Sequence, residues 1–212
     1  MLNFVLIVLL SYLAGSIPTS IIVGKLVKGI DIRNYGSGNP GGTNVIRVVG
    51  LGWGIFVILF DAFKGFFATA FIAKWLYTET FLNLTTVQII AGCFAVIGHM
   101  WTVFAGFRGG KGVSTSAGML LGIAPVDLLI AFLIFALIVA LTRYVSLGSI
   151  VSAILFPFII VFSENILKIH HRDLKTLLIF GSIIALLIVY RHRSNIKRLI
   201  AGNENKLSFG KK

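Results

Sequence analysis

Apolar residues run through this chain in long, nearly uninterrupted stretches, without the period of an amphipathic helix or strand. Leu2–Gly24, Val87–Ala105, Val126–Leu141, Val145–Phe162 and Leu174–Tyr190 contain almost no charged side chain. A helix needs about 20 apolar residues to cross a bilayer, within a range of roughly 17–25. The pattern predicts seven spans, at about 3–24, 48–77, 87–105, 112–124, 125–142, 145–162 and 174–190. The fourth is short, covering roughly 20 Å of a hydrocarbon core about 30 Å thick. It is divided from the fifth at Gly122-Ile123-Ala124-Pro125-Val126-Asp127, where a proline and an acid mark an interface turn. Met1–Gly24 has no Lys or Arg before it and exceeds a signal-peptide core, so it is expected to be a retained first span. The expected fold is all-α: one polytopic transmembrane bundle over residues 1–212, with a tail from 191 to 212.

Composition strengthens this reading. Hydrophobic residues make up 57% and charged residues only 12%, whereas a soluble domain carries about 25% charged residues. The single cysteine, Cys93, sits in an apolar run, which excludes a disulfide framework and a cysteine metal site.

The net charge of +12 would fit a nucleic-acid partner, but the placement of the charges does not. Seven spans with an external N-terminus put Lys25, Lys28, Arg33, Arg47, Arg108, Lys111, Arg143, Arg191, Arg193, Lys197, Arg198, Lys206, Lys211 and Lys212 inside. Only Lys74, Lys168, Arg172 and Lys175 fall outside, with Glu79, Asp127, Glu164 and Asp173. Cytoplasmic loops carry the excess of Lys and Arg, so the C-terminus is expected in the cytoplasm of a cell whose inner membrane holds the chain. The neighbours of these cations are lipid headgroups and no nucleic acid. Asp61 and Lys64 remain, three apart in the second span, where an unpaired charge costs about 2.5–3.5 kcal/mol. They share a helix face and are read as a structural ion pair.

Three polar segments stand out, all on the expected inner side. The first is Asp31-Ile32-Arg33-Asn34-Tyr35-Gly36-Ser37-Gly38-Asn39-Pro40-Gly41-Gly42-Thr43-Asn44-Val45-Ile46-Arg47. Its glycines permit backbone N–H groups to converge on an anion. Thr43 or Asn44 is expected to cap a helix beginning at Val45, with Arg47 in its first turn. No Lys-Ser/Thr follows the glycines, so this is not a P-loop. The second segment is Gly98-His99-Met100-Trp101 followed by Phe107-Arg108-Gly109-Gly110-Lys111-Gly112, two cations on a low-bulk backbone. His99, near the end of a span, is read as a structural histidine. The third is Arg191-His192-Arg193-Ser194-Asn195-Ile196-Lys197-Arg198-Leu199 with Gly202-Asn203-Glu204, where a continuing helix puts His192 and Asn195 on one side. Many anion donors and few carboxylates fit one or two phosphorylated substrates without a magnesium ion, which needs at least one carboxylate beside the phosphates.

With these segments in view, the chain resembles the bacterial acyl-phosphate:glycerol-3-phosphate acyltransferases, through Gly36–Arg47, Gly98–Gly112 and Arg191–Glu204. The similarity runs from the first span into the tail. Thr102 stands where that family usually has proline, Arg108 where it has lysine and Gly42 where it has alanine. The resemblance implies seven spans with an external N-terminus and transfer of a fatty acyl group from acyl phosphate to glycerol 3-phosphate. Products would be 1-acyl-glycerol 3-phosphate and phosphate, in the first step of phospholipid synthesis. It implies no cofactor and no metal; its partners are the two substrates, membrane lipids and the acyl-phosphate-forming enzyme. Consistently, no histidine is followed five residues later by aspartate, as acyl-CoA-type acyltransferases require. By this resemblance Ser37 and His192 are the expected catalytic residues. Gly38, Asn39, Gly41, Thr43, Asn44, Arg47, Gly109, Gly110, Lys111 and Asn195 are expected to bind substrate. The base is His192 or a phosphate oxygen of the donor. A transporter would place its polar groups near the midplane and repeat its halves, and a CDP-alcohol phosphotransferase would need clustered aspartates. Neither pattern is present in the sequence.

Overall fold

The structure, a computed structural model, describes residues 1–78 and 82–207. Glu79, Lys211 and Lys212 of the charge count lie outside the described residues. Among the described residues every regular element is helical. Six stretches are long and apolar enough to cross a membrane: Leu2–Lys28, Leu51–Leu76, Leu84–Ala105, Pro125–Thr142, Val145–Asn165 and Leu174–Arg191. Val113–Ile123, at the expected fourth span, is an apolar helix of 11 residues, short of crossing length. Contacts group the chain into two compact units, Met1–Ile123 and Ala124–Lys212, with the boundary in the Gly122–Asp127 turn.

In the first unit, α1 (Leu2–Ser16) and α2 (Thr19–Lys28) form one apolar stretch broken at Ile17–Pro18. The first span is therefore longer than expected and interrupted. Pro18 has no N–H to donate and pushes Ile17 into an extended conformation (φ −57°, ψ 115°). The Ile17 carbonyl, turned out of the helix, accepts from Lys64 Nζ at 2.9 Å. A short helix α3 (Gly42–Val48) is separated from α4 (Leu51–Phe67) by Gly50 at φ 136°, so the second span begins at Leu51, not at 48. A π-turn over Ala68–Ile72 carries α4 into α5 (Ala73–Leu76). Such a turn leaves carbonyls displaced from the helical ladder, and Gln88 Nε2 from α6 (Leu84–Met100) donates to Thr69 O at 2.9 Å. Helix α7 (Val113–Ile123) packs on α4, and α1 packs on α6.

The second unit holds α8 (Pro125–Thr142), α9 (Val145–Asn165), α10 (Leu174–Arg191) and α11 (Arg193–Ile200). Helix α9 packs against both α8 and α10. Leu129, Phe132, Leu133, Leu137 and Leu141 of α8 are exposed, as suits a lipid-facing helix.

Asp127 does more than mark a turn. Expected to mark the turn before the fifth span, it stands in the first turn of α8, is 1% exposed and accepts from Ser163 Oγ at 2.5 Å. Its other oxygen lies 2.8 Å from His171 Nε2, while His171 Nδ1 lies 2.7 Å from Glu164 Oε2. His170 Nδ1 is 3.0 Å from Glu164 Oε1. Burial works against a charge on His171, but its bonds to Asp127 and Glu164 outweigh that and raise its pKa. His171 thus bridges the start of α8 and the end of α9.

Candidate functional site

The first polar segment begins with a 3₁₀ turn over Ile32–Asn34, capped by Asp31 Oδ1, which accepts from Arg33 N–H at 3.0 Å. Arg33 pairs with Asp31 at 2.6 Å and holds its carboxyl down at about 2. The same guanidinium donates through Nη1 to Ala105 O at 3.0 Å. That bond ties the first polar segment to the approach of the second, over an apolar cluster of Ile21, Val23, Ile32, Val45 and Val57 with Ala105 packed against it. Arg33 is a residue the sequence reading passed over, because its bridge spans 72 positions.

Asn44 organises the loop, though not as the expected cap. Helix α3 starts at Gly42 with Gly41 as its cap, so Asn44 lies inside it and Arg47 falls in its last turn, not its first. A cation there complements the carbonyl end of the helix. Asn44 is 1% exposed and turns back into the loop. Its Oδ1 accepts from Ser37 N–H at 2.9 Å, and its Nδ2 donates to Tyr35 O at 2.9 Å and Ile32 O at 3.2 Å. Gly36, at φ 60°, must lack a side chain, because a Cβ would overlap Asn44 Oδ1.

Three of the loop's backbone donors are used within the loop. The N–H groups of Gly38 and Gly41 donate to Tyr35 O and Asn39 O, each at 3.0 Å, and that of Ser37 is engaged by Asn44. Folding the loop on itself satisfies these three donors locally. Ser37, Asn39, Thr43 and Arg47 are all half-buried, and no hydrogen bond engages the Ser37 hydroxyl among the described residues.

The second segment is a return loop on the end of α6. Tyr12 Oη donates to Trp101 O at 2.8 Å and Ser16 Oγ to Gly98 O at 3.3 Å. Thr102, buried, donates its hydroxyl to Ser16 O. Its backbone, at φ −69° and ψ 122°, is one that proline also adopts. The bend of the third span therefore persists without the proline. A 3₁₀ turn over Val103–Ala105 and left-handed Gly106 and Phe107 reverse the chain. Gly109 N–H then donates to Met100 O at 3.2 Å and Gly110 N–H to His99 O at 3.0 Å. Lys111 is half-buried and Arg108 exposed, and α7 follows at Val113.

Behind this loop lies the ion pair of the second span. Lys64 Nζ is 2.7 Å from Asp61 Oδ1, and both residues are 3% exposed. Thr19 Oγ1 donates to Asp61 at 3.1 Å. The ion pair expected from the spacing forms, and it is not isolated: Lys64 Nζ is also 3.3 Å from His99 Nδ1.

In the second unit, α10 ends at Arg191 and α11 starts at Arg193, so the helix expected to continue through His192 is broken there. His192 and Asn195 are nonetheless both buried. His192 Nδ1 lies 2.8 Å from Ile188 O, which can only accept, so the neutral ring carries its proton on Nδ1 and Nε2 is its basic atom. Asn195 Nδ2 donates to Glu204 Oε1 at 2.9 Å, and Arg198 Nε donates to Glu204 Oε2 at 2.8 Å. Asp31 and Glu204, the two carboxylates on the expected inner side, are thus both engaged by arginines. Among the described residues no three His, Cys, Asp or Glu side chains are grouped to hold a metal ion.

Comparison with known proteins agrees from end to end. The sequence profile of the family described as glycerol-3-phosphate acyltransferase matches residues 5–202. A glycerol-3-phosphate acyltransferase from Chlorobaculum tepidum is 51% identical, and one from Chlorobaculum parvum 48%, each over the full length of both chains. The fold is similar to the crystal structure of PlsY (YgiH), an integral membrane glycerol 3-phosphate acyltransferase, in its glycerol 3-phosphate form. The TM-score is 0.82 at 36% identity, covering 97% of this chain and 96% of the other. The lysophosphatidic acid form of PlsY gives a TM-score of 0.80 at 35% identity over the same shares.

Proposed function

Because this chain belongs to the glycerol-3-phosphate acyltransferase family, we propose that it moves a fatty acyl group from acyl phosphate to glycerol 3-phosphate. The observation that carries this reading is the bond, within one unit, from Arg33 ahead of the Ser37–Arg47 loop to Ala105 ahead of the Arg108–Gly112 loop. Two cation-bearing loops suit two phosphorylated substrates. The similar structures, one named for glycerol 3-phosphate and one for lysophosphatidic acid, support an acceptor and product of this kind.

In the proposed reaction a hydroxyl oxygen of glycerol 3-phosphate attacks the acyl carbonyl carbon. The bond from that carbon to the phosphate oxygen breaks, and inorganic phosphate leaves with the bonding pair. Acyl phosphate is a mixed anhydride and already activated, so no covalent enzyme intermediate is needed. Positioning and charge stabilisation carry the acceleration. Ser37, Gly38, Asn39, Gly41, Thr43 and Asn44 form or line the donor loop, with the Ser37 hydroxyl directed to the acyl phosphate. In the first unit Arg47, Gly109, Gly110 and Lys111 serve the acceptor; the same role for His192 and Asn195 comes from the resemblance, and the hydroxyl proton goes to His192 Nε2 or to a phosphate oxygen of the donor. The acyl chain enters sideways from the bilayer. The chemistry belongs to the cytoplasmic face of the inner membrane, by the excess of Lys and Arg in the loops and tail.

The test is donor choice. Purified protein receives glycerol 3-phosphate with palmitoyl phosphate, palmitoyl-CoA or palmitoyl-carrier protein. Lysophosphatidic acid is expected from palmitoyl phosphate alone, and efficient use of either thioester overturns the assignment of the donor.

A further inference from the structure

The buried pair in α4 and the glycine loop before α7 are joined by one side chain. An ammonium can only donate, so His99 Nδ1, 3.3 Å from Lys64 Nζ, accepts, and the neutral ring carries its proton on Nε2. The Nε2 edge lies against Gly110, where a Cβ would overlap the ring; a Cβ on Gly109 would overlap the His99 carbonyl. That carbonyl accepts the Gly110 N–H at 3.0 Å, while the next one, on Met100, accepts the Gly109 N–H at 3.2 Å. His99 therefore touches the loop twice, through its ring and through its backbone.

The other side of the network is equally fixed. Asp61 is held by Lys64 and by the Thr19 hydroxyl, and Lys64 also donates to the Ile17 carbonyl that Pro18 turns out of the helix. His99 Nδ1 is 3.6 Å from Asp61 Oδ1. The break in the first span, the ion pair of the second and the end of the third thus converge on one imidazole, which is 9% exposed.

We infer that His99 is a positioning residue for acyl transfer: oriented by the Asp61–Lys64 pair, it sets the Gly109–Gly110 backbone and so aims Lys111 at the acceptor. This rests on the reading of Lys111 as a cation for glycerol 3-phosphate. It gives the ion pair a task in the reaction besides holding helices together. It also accounts for two consecutive glycines where a flexible loop would need neither.

Steady-state kinetics with glycerol 3-phosphate varied test this, on variants shown to be monodisperse in detergent. His99→Asn keeps an acceptor at the position of Nδ1 for Lys64 but removes the ring edge from Gly110. It is expected to raise KM for glycerol 3-phosphate by about tenfold or more, while KM for acyl phosphate stays near wild type. Gly110→Ala is expected to do the same, because its methyl group meets the ring. In His99→Ala that obstacle is gone, so adding Gly110→Ala should cause little further loss. Additive losses in the double variant, or a wild-type KM in His99→Asn, overturn the inference. Lys111→Ala separates the two levels. If it leaves KM for glycerol 3-phosphate unchanged, the reading of Lys111 fails and the inference with it. If it raises that KM while His99→Asn does not, only the inference fails.

Discussion

At the scale of single residues, the polar groups in this chain divide into those that hold the loops and those offered to substrate. Asn44 and Arg33 hold: one is buried with three hydrogen bonds into its own loop, the other bridges to Ala105. Ser37 and Lys111 are half-buried at loop positions. Loss of a donor that acts on developing charge costs about 10²–10³ in rate. Ser37→Ala is therefore expected to lower kcat by that order, whereas Lys111→Ala chiefly raises KM for glycerol 3-phosphate. A Lys111→Ala variant altered only in its acyl-phosphate KM would reverse the two assignments. His192→Ala decides the base: kcat collapses and resists added glycerol 3-phosphate if Nε2 takes the proton, and largely recovers at saturation if His192 only binds. The Asp61–Lys64 pair makes a separate prediction about stability. Removing one partner of a buried pair costs about 3–5 kcal/mol, because the other charge stays buried alone. Lys64→Met is expected to lower the thermal midpoint in detergent sharply, and a midpoint equal to wild type would show that Asp61 is not an uncompensated charge.

At the scale of elements, the apolar stretches foretold the long helices well, because lipid requires each span to satisfy its own backbone hydrogen bonds. What the pattern could not foretell was where a helix yields. The breaks at Ile17–Pro18, at Gly50 and at His192 each turn on one or two residues, and hydropathy averages over them. The Thr43/Asn44 cap was misread for a related reason. Asparagine near a helix start usually caps it, but here tertiary bonds to Ile32, Tyr35 and Ser37 draw the side chain away. The three candidate segments were legible because glycines, cations and few acids in short loops are unusual in so apolar a chain. Their supports, Arg33–Ala105 and Lys64–His99, were not, since each joins distant positions. Asp127 and His171 are a third such pair, and their clamp has a pH signature. The histidine pKa is raised above its ordinary 6.5, so its contribution is complete below that value and lost as pH rises through the folded value. The gap in thermal midpoint between wild type and His171→Asn should be widest near pH 6 and shrink as the pH is raised through the folded value. A gap constant over that interval would mean that His171 is not charged in the folded protein.

At the scale of the whole molecule, the account places the chemistry on one side of a membrane. Fourteen basic residues on the expected inner side against four outside predict an external N-terminus and a cytoplasmic tail. Reporter fusions after Lys212 should be active only with a cytoplasmic reporter, and fusions within 78–86 only with an external one. A tail reached from outside would refute that orientation, and with it the proposed side of the reaction. Both carboxylates on the expected inner side, Asp31 and Glu204, are already bound by arginines, so activity is expected to need no divalent ion. The most direct measurement joins donor, acceptor and metal in one assay. Purified protein in EDTA is given palmitoyl phosphate and glycerol 3-phosphate, and inorganic phosphate and lysophosphatidic acid are counted together. The account predicts equal amounts of the two, neither formed when glycerol 3-phosphate is omitted. Phosphate release without lysophosphatidic acid, or product formation only after Mg²⁺ is restored, would contradict it.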